Sequence, residues 1–154
     1  MYHIYDTLSN SLIDSYRNNE YIVLMDVLID ASAIMPVLID EPEKEYIINV
    51  TRNCNLLAPS ILPYEIGNAL TRLKKRQLIE DQEIITVYND YRKIPLRILD
   101  ADIEKALIIA CRYGIYAYDA YYLEAANRLN VPLLTLDKSM KEIALALKLK
   151  ILEA

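Results

Sequence analysis

Three aspartates fall where the chain changes direction. Asp30 follows the apolar run YIVLMDVLI, Asp119 opens the helical pattern AYDAYYLEAANRLN, and Asp137 follows VPLLTL. A glutamate, Glu65, stands within PYEIGNAL, with Asn68 three residues on and therefore on the same helical face. Carboxylates close together repel one another, and their hard oxygens suit a hard divalent cation. Each also has an ordinary reading. Asp30 and Asp137 could serve turns, Asp119 could cap free amides at a helix start, and Glu65 could be solvated.

The rest of the composition narrows the chemistry. With only Gly67 and Gly114 in the chain, neither a phosphate-binding glycine loop nor a dinucleotide fingerprint can be written. The single histidine, His3, leaves a histidine-ligated zinc hydrolase or a paired-imidazole ribonuclease without its parts. Cys54 and Cys111 form no CxxC pair and are expected to behave as small apolar residues. The 154 residues suit one domain, and the 54% apolar and 25% charged fractions are those of a globular chain. No apolar run approaches the ~18 residues of a membrane span. The opening MYHIYDTLSN lacks a basic and apolar leader, so a soluble, cytoplasmic protein is expected.

The elements that must position these acids alternate in kind. Strands are predicted for YIVLMDVLID, NLLAP, LRILD, VPLLTLD and LKILEA. Between them the spacing predicts two short helices split near Glu41 and Pro42, then helices over ILPYEIGNALTRLKKR and DQEIITVYNDYRKI. Further helices are predicted over ADIEKALIIACRYG, ending at Gly114, over AYDAYYLEAANRLN, and over SMKEIALALK. This alternation implies a three-layer α/β/α sandwich around a mostly parallel five-stranded sheet. Ligands in such folds sit beyond the carboxyl ends of the strands, where the strand order reverses. If the first and fourth strands are neighbours there, Asp30 and Asp137 converge.

Taken together, LIDASA, PYEIGNAL, YAYDAYYLEAA and LLTLD resemble, in order, the four acidic signatures of the PIN-domain nucleases, and most of all the VapC-type toxins of toxin-antitoxin pairs. The resemblance runs from about Met25 to the C-terminus. It implies a metal-dependent endoribonuclease in which Asp30, Glu65, Asp119 and Asp137 surround one or two Mg²⁺ or Mn²⁺ ions. It also implies an RNA substrate, a cognate antitoxin and a homodimer. Ser32 and Thr135 match polar positions near the family's metal site and, with Asn68, would orient its ligands or waters; for both hydroxyls, local capping is an equal reading.

Two rivals fit less well. An aspartyl-nucleophile phosphohydrolase wants a second aspartate where Ser32 stands, and a receiver domain wants a lysine where the chain ends in ILEA. A PIN fold kept only as an RNA-binding or interaction scaffold stays open.

The net charge of −5 is unusual for a protein that meets RNA, which makes local charge decisive. Arg72 and Arg76 lie seven and eleven residues after Glu65 and could guide a phosphate backbone, or simply form a solvated helix end. Tyr116, Tyr118, Tyr121 and Tyr122 flank Asp119 and could pack in the core or stack on bases. Residues 1–24 are an extension to the domain of residues 25–154. Ile4, Leu8, Leu12, Ile13 and Tyr16 fit one face of a helix there, though Met25 could equally be the natural start.

Overall fold

The computed structural model describes residues 24–153. The helix predicted before Met25 lies outside these residues. The described chain runs β1 (Met25–Ile29), α1 (Ala31–Leu38), α2 (Lys44–Thr51), β2 (Cys54–Pro59), α3 (Leu62–Lys75), α4 (Asp81–Tyr91), β3 (Leu96–Leu99), α5 (Ile103–Tyr113), α6 (Ala117–Leu129), β4 (Leu133–Leu134) and α7 (Lys138–Ala146).

The sheet has the order β3-β2-β1-β4, with every pairing parallel. Successive residues of a strand face opposite sides, and β1 shows the consequence. Val27 and Ile29 enter one core with Ile34, Ile66, Leu70 and Tyr91, beneath α1, α3 and α4. Leu28 enters the other with Leu57, Tyr122, Leu123 and Met140, beneath α6 and α7. The sheet is therefore covered on both faces, which is why its strands read as unbroken apolar runs.

One expectation is corrected: the sheet has four strands rather than five. The LKILEA segment makes a single parallel bridge, Leu133 to Ile151, through the Leu133 amide to the Lys150 carbonyl and the Leu152 amide to the Leu133 carbonyl, both 2.9 Å. The cause lies in β4. From Thr135 onward the chain leaves the ladder to build the site described below, so β4 offers too short a rail for a neighbour to extend along.

Gly114 closes α5 in the left-handed conformation (φ 65°), where a side chain would be strained. Cys54 is half-buried, and burial pushes its thiol upward. Cys111 departs from its expected apolar setting: α5 buries Ala106 and Ala110, leaving Cys111 exposed on the opposite side. No helix among the described residues is long and apolar enough to cross a membrane.

Candidate active site

Because β1 and β4 are neighbours while β2 and β3 lie beyond β1, the strand order reverses between β1 and β4. Both of these strands deliver an aspartate just past their carboxyl ends. Asp30 is the N-cap of α1, its side chain accepting from the Ala33 amide at 3.1 Å. Asp137 is the N-cap of α7, accepting from the Met140 amide at 2.8 Å. Both aspartates therefore serve as helix caps rather than as turn residues, and each cap fixes its carboxylate at the rim of the sheet.

Two hydroxyls lock β1 and β4 together at this rim. Ser32 Oγ donates to the Asp30 carboxylate, straddling its oxygens at 2.7 and 2.9 Å, and accepts from the Leu136 amide at 2.8 Å. Thr135 Oγ1 donates to Asp30 Oδ2 at 2.7 Å and accepts from the Asp137 amide at 3.1 Å. Each hydroxyl uses both its abilities, donating to a carboxylate and accepting from a backbone amide. No buried side-chain nitrogen or oxygen among the described residues is left without a partner.

Glu65 comes from the first turn of α3 and Asp119 from the first turn of α6. Asp119 makes no capping bond; the N-cap there is Tyr116, without a side-chain hydrogen bond. All four acids line one open cleft of about 360 Å³, together with Ser32, Asn68 and Arg72. Thr135 lies behind it, 1% exposed. Arg76 is the C-cap of α3 and does not line the cleft. Among the described residues Arg72 forms no salt bridge, whereas Lys74 is held by Glu80 and Asp81, both at 3.0 Å.

The electrostatics of the cleft are those of crowded acids. Burial pushes Asp30 up to about 6; its hydrogen bonds from Ser32, Thr135 and Ala33 oppose this, and the charge of Asp137 adds to it. Glu65 is raised by burial and by Asp30 and Asp119, against a bond from Tyr122. Asp119 is raised by burial and by Asp137. Asp30, Glu65 and Asp119 are therefore each raised in part by another acid of the cleft. Among the described residues no three His, Cys, Asp or Glu side chains stand close enough to form a metal cage on their own.

One participant was missed in the sequence. In the sequence Tyr122 is one of four tyrosines flanking Asp119, yet its hydroxyl donates to Glu65 Oε2 at 2.5 Å. The available signal was its position three residues after Asp119, which places both on one face of α6. Of its neighbours, Tyr116 and Tyr118 are exposed, and only Tyr118 reaches the cleft.

A parallel, doubly covered sheet with acids gathered at its switch point defines a class, and this chain belongs to it: the PIN domain family matches residues 27–145. The chain is 25% identical over 123 residues to ribonuclease VapC3 of Pyrobaculum aerophilum, covering 77% of this chain and 94% of that protein. Its fold is similar to a crystal structure of a Pyrobaculum aerophilum protein, with TM-score 0.62 and 22% identity over 77% of this chain and 79% of that one. It is also similar to VapBC2 from Rickettsia felis, solved bound to a DNA fragment from its promoter, with TM-score 0.57 and 16% identity over 82% of this chain and 97% of that one.

Proposed function

We propose that this PIN-domain protein is a Mg²⁺- or Mn²⁺-dependent endoribonuclease and the toxin of a toxin-antitoxin pair. The observation that carries the reading is the meeting of Asp30, Glu65, Asp119 and Asp137, from four separate elements, in one cleft where no cationic side chain among the described residues is paired to any of them. The donor set is all oxygen, which fits a hard divalent ion, and Mg²⁺ commonly takes one or two carboxylates while keeping its waters. An open cleft without a complete protein cage suits such an ion.

These four residues would hold the metal, and Asn68 beside Glu65 would orient a water or phosphate oxygen. When bound, the metal supplies a water of lowered pKa and neutralises charge developing on the phosphate. Ser32 and Thr135 keep the Asp30 carboxylate from rotating. Arg72 meets the phosphate backbone at the cleft wall, and the exposed Tyr118 offers a face to an unstacked base. The similarity to a protein named as a VapC ribonuclease and to a VapBC2 structure supports an antitoxin partner; the homodimer that the family resemblance implies completes the proposed assembly.

The test is cleavage of total cellular RNA by the purified chain with Mn²⁺ or Mg²⁺, beside an Asp30→Asn variant and a chelator control. Discrete fragments that vanish in both controls are the expected result. No cleavage by a folded, antitoxin-free preparation would leave the fold as a binding scaffold.

A further inference from the structure

The carboxylates of the cleft are not held alike. Asp30 has three donors and Asp137 has the Met140 amide, so both short side chains are fixed by their own caps. Glu65 is longer, has more rotors to order, and sits within a helix where no cap is available. Among the described residues its one hydrogen-bond donor is Tyr122.

Tyr122 is fully buried, its ring packed in the core that α6 and α7 build with Leu28 and Leu57. A phenylalanine would fill that apolar space. The hydroxyl is a buried polar group whose partner is a carboxylate on α3, in the layer on the other side of the sheet. Tyr122 also shares a face of α6 with Asp119, so one turn of one helix supplies an acid of the cleft and the clamp on another.

We propose that Tyr122 is a positioning residue of the carboxylate centre: by occupying Glu65 Oε2, it leaves the other oxygen, Oε1, turned to the cleft as a single oriented donor. This rests on the reading of the cleft as a metal centre. Partners of this kind, one step behind a ligand, are typically worth about tenfold to hundredfold in metal affinity.

The experiment is a calorimetric titration of Mn²⁺ into the chelator-stripped full chain, with wild type, Tyr122→Phe, Glu65→Ala and the double variant compared, and thermal melts recorded for each. Expected is a loss of Mn²⁺ affinity of about tenfold to hundredfold in Tyr122→Phe, and no further loss when it is added to Glu65→Ala, because the hydroxyl acts only through that carboxylate. Wild-type affinity in folded Tyr122→Phe would overturn the role, and so would a further loss in the double variant. If Tyr122→Phe fails to fold, Tyr122→Met, which also lacks the hydroxyl, takes its place in the same comparison with the same two outcomes. Absence of Mn²⁺ binding by the wild type would overturn the metal reading itself, and the positioning role with it.

Discussion

Two buried carboxylates in this molecule are treated in opposite ways. Glu124, 2% exposed on α6, is met by its own cation: Arg128 Nε donates to it at 2.7 Å, the Asp102 amide donates at 3.0 Å, and the same arginine reaches the Asp100 carbonyl at 2.9 Å. Asp30, 4% exposed, receives only neutral donors among the described residues, two hydroxyls and an amide, and the charge that adds to its shift is another acid, Asp137. Burying a charge without a counter-charge is costly. A structural acid carries its partner in the sequence, four residues away on the same helix; among the described residues the acid at the switch point has no such cation.

The sharpest way to break this contrast is to remove the internal cation. Arg128→Met should cost about 3–4 kcal/mol, toward the low end for breaking a buried pair because the arginine is 36% exposed. Urea unfolding measures it, and a loss below about 1 kcal/mol would make Glu124 no different from Asp30.

A change of pH sharpens the other side. Asp30 titrates near 6 in the fold against an ordinary value of 3.8, so the fold favours its protonated form. Its contribution to stability is fully present below about pH 4 and is lost as the pH rises through about 6. In chelator, the stability of Asp30→Asn relative to wild type should therefore move by about 2 kcal/mol in favour of the variant between pH 4 and pH 7.5. A difference that stays flat with pH contradicts this reading.

Thr135→Val tests the neutral donors, because it keeps the shape but leaves the Asp137 amide without its acceptor and removes one of the three donors to Asp30. The expected cost is about 1–2 kcal/mol in a thermal melt. The smallest effect is expected at the cleft wall: Arg72→Ala should lower the salt dependence of RNA binding by about one unit of slope, and Arg76→Ala by less. Equal slopes for the two variants would remove the distinction between an arginine in the cleft and one at the helix end.

Much of this was legible because Asp30 and Asp137 mark strand ends locally, and the switch-point rule then brings them together without knowledge of any contact. The helices of Glu65 and Asp119 followed from apolar spacing alone. What stayed hidden depends on partners distant in sequence. The Tyr122–Glu65 bond joins residues 57 positions apart, and Tyr122 is otherwise indistinguishable from the three tyrosines near it. The missing fifth strand is similar: ILEA has strand composition, but its pairing is limited by how soon β4 turns away at Thr135. The Glu124–Arg128 pair has ordinary helical spacing, and only its burial, which comes from packing against the β3–α5 connection, makes it costly to break.

The most direct test of the central claim is the melting temperature of wild type and Asp30→Asn at pH 7.5, in chelator and then in Mn²⁺. A ligand stabilises the fold to the extent that it binds the native state. The expected result is a rise with Mn²⁺ in the wild type and none in Asp30→Asn, which in chelator melts no lower than the wild type. Equal shifts in both proteins, or no shift in either, would contradict the claim that the cation missing from Asp30 is an external divalent ion.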